Sequence, residues 1–318
     1  MFFLAPIAHL SLVPAGIIMT EPLRRSMPFD DGAISYLEWN DAPQGAPLLV
    51  FAHANGFNAY TYRTLLSPLA DKFRIVALDM RGHGLTTLPT ERSLVRRWKV
   101  YRDDLLRFVA RLGDEPKILA GHSLGASASL MASALRPEVA RALVLVEPVM
   151  PSNRLAALAW FSGLFGLEDK YLPLVPPAKR RRAKFTSREA ATASFRGRGA
   201  FRTWPDQMVA DYVEGGTIED GEGGFRLACA PLWEATNFSI YPFNIAALGR
   251  KVRAPMTILY GTEHSTTSDD LLQRLVKGHT DARLVRVPGA SHFLPMEKPD
   301  LVRSEIVSAA ERAQLIQP

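Results

Sequence analysis

One serine sits between two glycines at the end of an apolar run, in Gly121-His122-Ser123-Leu124-Gly125. The run Lys117–His122 precedes it and the small, helix-forming residues Ala126–Leu135 come after it. A serine in a plain connecting turn needs neither glycine. A serine held in a strained strand-to-helix turn needs both, because a side chain at either position would strike neighbouring backbone. The next helix aims free N–H groups and the positive end of its dipole at any negative charge developing there. Ser123 is therefore the candidate nucleophile.

A serine hydroxyl is nearly inert at neutral pH and needs an adjacent base that is itself held by a third group. The histidines sort by position. His9 lies in an apolar leader, His83 in a turn after an earlier strand, and His279 at a helix end. His122 adjoins the serine but points away from it in any such turn. His292, in "VPGASHFLPMEKPD", comes after the last strand, in a loop that the sheet order returns over the serine. His292 is the expected base.

The elements that must position these residues are legible as short runs. "AISYLEW" (Ala33–Trp39) has β-type content and some alternation, and reads as an early strand. "PLLVFAH", "RIVALDM", "KILAGH" and "ALVLVE" are continuous apolar runs of the kind found in strands covered on both faces. Helical patterns separate them at Tyr60–Lys72, Leu94–Leu112 and Ala126–Leu135, and strand alternating with helix implies a parallel α/β sheet. The alternation stops at Pro148 and resumes with "MTILYG" (Met256–Gly261), a helix near Asp269–Lys277, "ARLVRVPG" and a final helix from Pro299 to about Gln314. An insertion of this length is too long for a loop and should be a folded cap. The expected organisation is a leader at 1–27, a core from 28–148 and 255–318, and a helical cap at 149–254.

Composition narrows the class. The chain has 318 residues, 47% of them hydrophobic and 22% charged, which fills a large core and excludes a disordered chain. Its one cysteine, Cys229, has no partner for a disulfide or a metal site, which fits a reducing, cytoplasmic setting. The formal charge is +6, with much of the excess in "KRRRAK" and "RGRGAFR". No zinc spacing, aromatic RNA-binding signature or heptad accompanies it, so it reads as the solvated face of the cap, and no nucleic-acid partner is expected. The leader carries two prolines before Gly16 and no Lys or Arg before Arg24. It reads as a misassigned or disordered start, with Met19 and Met27 as alternative starts, rather than as a secretory signal with export or a stable membrane span.

The sequence resembles the α/β-hydrolase superfamily over nearly its whole length beyond residue 28. "HANGF" (His53–Phe57), "DMRGHG" (Asp79–Gly84), "GHSLG" (Gly121–Gly125) and "GASHFLPMEKPD" (Gly289–Asp300) carry the resemblance, in that order. It implies a mostly parallel, doubly wound sheet with the cap inserted after the sixth strand. It also implies an oxyanion hole from the backbone N–H groups of Asn55 and Leu124. Ala54 departs from the glycine usual in that loop.

The third catalytic member departs from the common pattern as well. The superfamily's usual position after the seventh strand holds His264, with Glu263 one residue earlier. Its other position, the end of the sixth strand, holds Glu147, where a buried carboxylate must meet a partner or be costly. Glu147 is the expected acid and Glu263 the alternative. A serine nucleophile argues against the epoxide hydrolases and haloalkane dehalogenases, which use aspartate there. The expected chemistry is acyl transfer: hydrolysis of a carboxylic ester on a small, apolar acyl substrate, with no metal and no cofactor. Lactones, thioesters, carbon–carbon bonds β to a carbonyl, acyl transfer to another acceptor and a non-catalytic binding role are the alternatives. The cap stretch Leu155–Pro176 offers Trp160, Phe161 and Phe165 as an apolar substrate wall.

Overall fold

The computed structural model describes residues 20–94 and 98–317. Strands β1 (Leu23–Phe29), β2 (Gly32–Trp39), β3 (Leu48–Ala52), β4 (Arg74–Leu78), β5 (Lys117–His122) and β6 (Ala142–Val146) precede the insertion. Strands β7 (Lys184–Phe185), β8 (Thr217–Glu219) and β9 (Phe225–Leu227) lie within it, and β10 (Met256–Gly261) and β11 (Ala282–Val287) come after it. The main sheet has eight strands in the order β1-β2-β4-β3-β5-β6-β10-β11. β2 runs antiparallel to both its neighbours, and every other pair is parallel.

The central strands are mainly apolar because both faces are covered. Leu49, Phe51, Ile75, Ala77, Val144 and Val146 face one layer, which includes Val302 and Ile306 of the last helix, Pro299–Arg312. Their sequence neighbours Leu48, Val50, Val76, Leu143 and Leu145 face the other layer, with Leu105 and Phe108 of Lys99–Val109 and Leu130 of Leu124–Leu135. This is the period of two that a pleated strand imposes. Parallel pairing brings the C-terminal ends of β3, β5, β6 and β10 to one edge of the sheet. Asn55, Ser123, Glu147 and the loop before Thr266 leave the sheet there, where open α/β sheets bind ligands.

Three boundaries differ from those expected of the sequence. Residues 1–19 of the expected leader lie outside the described residues, but residues 20–27 belong to the core. β1 pairs along its whole length with β2, and Thr20 O accepts hydrogen bonds from Trp39 Nε1 and Ser67 Oγ at 3.2 and 3.1 Å. Arg24 adds an ion pair to the buried Asp79 at 2.7 Å. The insertion is not helical alone, since β7, β9 and β8 form a small antiparallel sheet. Its last part, Ile245–Lys251, packs with Leu272 and Leu275 in the core. The helix expected at Leu94–Leu112 is described from Lys99 to Val109, and residues 95–97 lie outside the described set.

Candidate active site

β5 ends in the sharp turn that the two glycines permit. A Cβ on Gly121 would lie 2.6 Å from the Gly125 carbonyl carbon, and one on Gly125 would lie 2.1 Å from the Ala52 oxygen. Neither clash has a flexible side chain to relieve it. Between them Ser123 takes φ 56° and ψ −116°, its N–H bonded to Val146 O at 3.0 Å. A non-glycine residue holds such angles only where its surroundings over-determine them, and such strain clusters at functional sites.

His292 reaches this turn from the loop after β11. Its Nε2 lies 3.0 Å from Ser123 Oγ and its Nδ1 lies 3.2 Å from Glu147 Oε2. A carboxylate only accepts, so Nδ1 carries the hydrogen and Nε2 is left to accept from the serine hydroxyl. Thr266 Oγ1, also 3.2 Å from Nδ1, offers that N–H a second acceptor. Ser291 holds the loop in place, giving its N–H and its hydroxyl to the Glu297 carboxylate, both at 2.7 Å.

Glu147 is completely buried at the end of β6 and has a positive φ of 49°. Its charge is compensated on both oxygens. Oε1 accepts from the Gly261 N–H at 2.5 Å. Oε2 accepts from the Ser265 hydroxyl at 2.9 Å and the Thr266 N–H at 3.3 Å, in addition to His292. A buried carboxylate with fewer donors would be costly. Glu263 is exposed and makes no side-chain contact with His292 among the described residues; only its backbone N–H is engaged, on Ala290 O at 3.0 Å.

The "HANGF" loop is shaped by two imidazoles. His53 Nε2 accepts from the Met80 N–H at 2.8 Å and its Nδ1–H donates to Ala54 O at 2.7 Å. His83, from "DMRGHG", accepts from the Gly56 N–H at 3.0 Å and donates to Arg81 O at 2.9 Å. Burial lowers them to about 4 and about 3 respectively, the neighbouring His53 making a second proton on the pair costlier still for His83, so both rings are neutral near pH 7. The Asn55 side chain is clasped by the helix Pro231–Phe238 of the inserted segment. It donates to Glu234 O at 3.0 Å and accepts from Asn237 Nδ2 at 2.9 Å.

Trp160, Phe161 and Phe165 lie apart from these contacts. They are 51%, 54% and 71% exposed, on and just after the helix Asn153–Leu164 of the inserted segment, and present an open apolar face, not an enclosed wall. Ser123, by contrast, is only 6% exposed. Sequence reasoning missed Ser265 and Thr266, whose hydroxyls come directly after Glu263-His264 and were the available signal. It also missed Glu234 and Asn237, which carry no local signal because their partner Asn55 is distant in the chain.

Comparison with known proteins agrees with this fold. Residues 49–305 match the Alpha/beta hydrolase family. A 2-(acetamidomethylene)succinate hydrolase of Mesorhizobium japonicum is 25% identical over 264 residues, covering 82% of this chain and 87% of that protein. Among solved structures, a thioesterase domain from the curacin biosynthetic pathway superposes with TM-score 0.73 at 20% identity, covering 91% of this chain and 100% of that one. An enol-lactonase from Burkholderia xenovorans superposes with TM-score 0.63 at 16% identity, covering 90% and 99%. The family match spans most of the sequence and every strand of the main sheet from β3 onward, and the chain belongs to the alpha/beta hydrolase family.

Proposed function

We propose that this hydrolase is a serine esterase that cleaves a carboxylic ester through an acyl-serine intermediate. The observation that carries the reading is the line from Ser123 Oγ through both ring nitrogens of His292 to the buried Glu147, at 3.0 and 3.2 Å. Ser123 Oγ attacks the ester carbonyl while its proton passes to His292 Nε2. Glu147 stabilises the resulting imidazolium without taking the proton. The carbonyl oxygen becomes an oxyanion, and the backbone N–H groups of Asn55 and Leu124 are its donors. Neither meets an acceptor among the described residues, which supports that role. Collapse expels the alcohol, which takes the proton back from His292. Water, deprotonated by the same ring, then releases the acid and restores the serine.

With Ser123 only 6% exposed, we further propose that the inserted segment acts as a cap over the site, with Trp160, Phe161 and Phe165 as the apolar lip over which an acyl group passes. No helix among the described residues is long and apolar enough to cross a membrane. We place the enzyme in the cytoplasm, where a chain with a single cysteine needs no oxidising partner. The test is a panel of p-nitrophenyl esters of increasing acyl length, with an acyl thioester and a lactone beside it. Turnover of the esters is expected. Turnover of the thioester or lactone with none of any ester would keep the serine mechanism and overturn the substrate class.

A further inference from the structure

The hydrogen bonds around the nucleophile continue through the residue before it. His122 is fully buried, and both its ring nitrogens have partners other than Ser123. Its Nε2 lies 2.7 Å from the backbone oxygen of His292, and its Nδ1 lies 2.7 Å from Tyr62 Oη. A carbonyl oxygen only accepts, so Nε2 carries the hydrogen. In a neutral ring Nδ1 is then bare and accepts from the Tyr62 hydroxyl. Tyr62 Oη in turn accepts from the Ala54 N–H at 3.2 Å. Burial pushes His122 well below the ordinary imidazole range and Tyr62 well above the phenol range, in keeping with a neutral chain.

We propose that Ala54 N–H, Tyr62, His122 and the His292 carbonyl form a positioning relay that sets the base and the oxyanion loop at fixed distances from Ser123. The inference rests on the serine-hydrolase reading. One end of the relay is the main chain of the base itself, so a shift of that carbonyl tilts the imidazole against Ser123 Oγ. The other end is the residue before Asn55, so the same chain holds the N–H intended for the oxyanion. His122 joins both to the nucleophile because it is covalently next to Ser123. The rings beside it leave little room for another arrangement: His292 lies 5.0 Å and Phe57 6.1 Å away, centre to centre. Tyr62 and His122 are positioning residues here, since neither touches the reacting atoms.

Two amides separate the role from mere packing. In His122→Gln the amide nitrogen reaches the place of Nε2 and can donate to the His292 carbonyl. In His122→Asn the side chain reaches only the place of Nδ1, keeping an acceptor for Tyr62 but giving nothing to His292. Displacement of a reacting group by an ångström costs on the order of 10²-fold. We therefore expect His122→Asn to lower kcat about 100-fold on a p-nitrophenyl ester with KM within about threefold, and His122→Gln to stay within about tenfold of wild type. Tyr62→Phe, which removes one hydroxyl and keeps the ring, should lower kcat about tenfold, and it serves as the test if His122→Asn does not fold. Equal losses in Asn and Gln, or wild-type kcat in Tyr62→Phe, would overturn the relay while leaving the esterase standing. A wild type that hydrolyses none of the panel and leaves Ser123 unlabelled by a fluorophosphonate would remove the serine-hydrolase reading, and the relay with it.

Discussion

Replacing Glu147 by Gln removes the charge and keeps the shape, and the hydrogen bonds around it decide which way the amide turns. With its nitrogen in the place of Oε1, the amide opposes one donor, the Gly261 N–H at 2.5 Å. With its nitrogen in the place of Oε2, it opposes the Thr266 N–H and the His292 Nδ1–H, and the Ser265 hydroxyl must rotate to accept. The first orientation leaves fewer donors facing donors and should win. It leaves an oxygen toward His292, so the ring keeps its Nδ1–H tautomer. What is lost is the negative charge beside the imidazolium. The fall in kcat should therefore be about 10²–10³-fold, short of the roughly 10⁴-fold seen where an amide forces the wrong tautomer on a triad histidine. In activation free energy that is about 3–4 kcal/mol. The lost Gly261 bond should separately cost stability of roughly 1.5–3 kcal/mol, read from the urea midpoint. Steady-state kinetics on the best p-nitrophenyl ester measures the first effect, with KM nearly unchanged. Glu263→Gln is the control and should cost less than about tenfold, since that side chain is exposed. A kcat within tenfold of wild type for Glu147→Gln, or a hundredfold loss for Glu263→Gln, would refute the reasoning.

The same contacts carry further expectations. His292→Ala should reduce kcat on any ester by at least about 10³-fold, because the proposed nucleophile loses its proposed base; a loss below tenfold means the base lies elsewhere. Ala at Trp160, Phe161 or Phe165 should leave the urea midpoint nearly unchanged, since each side chain is more than half exposed, and should shift acyl-length preference by tens of fold if the lip contacts the chain. An unchanged profile removes them from the substrate path. Stability should fall with acid. His53 and His83 are held neutral down to about 4 and about 3, against an ordinary 6.5, so below pH 6.5 the unfolded chain binds protons that the fold refuses. The stability is complete above about 6.5 and is lost as pH falls through that window, by about 1.4 kcal/mol per pH unit for each ring. Urea midpoints that stay level from pH 7 to pH 4.5 would contradict this.

How much was legible in the sequence depends on whether a feature is local. β3, β5, β6 and β10 read clearly because each is a mainly apolar run covered on both faces. β1 does not, because it is an edge strand whose exposed residues include Leu23, Arg24, Arg25 and Ser26, so burial imposes no apolar alternation. The small sheet of the insertion is hidden for a different reason: strands of two or three residues are too short to show a period. Ser123 and His292 stand out through motif and chain order. Glu147 stands out because a carboxylate ending a buried strand needs donors, but which donors is a matter of how β6 and β10 lie together. The clasp of Asn55 by Glu234 and Asn237 joins residues far apart in the chain, and no local pattern announces it. The openness of Trp160, Phe161 and Phe165 is equally invisible, since an apolar helix reads the same whether it faces a pocket or solvent.

The most direct measurement is covalent labelling of the folded wild-type protein with a fluorophosphonate, with intact mass and peptide mapping as the readout. A serine activated by His292 should take one phosphonyl group, located on Ser123, and Ser123→Ala should take none. A folded wild type that stays unlabelled at Ser123, or that carries the label on another residue, would contradict the account.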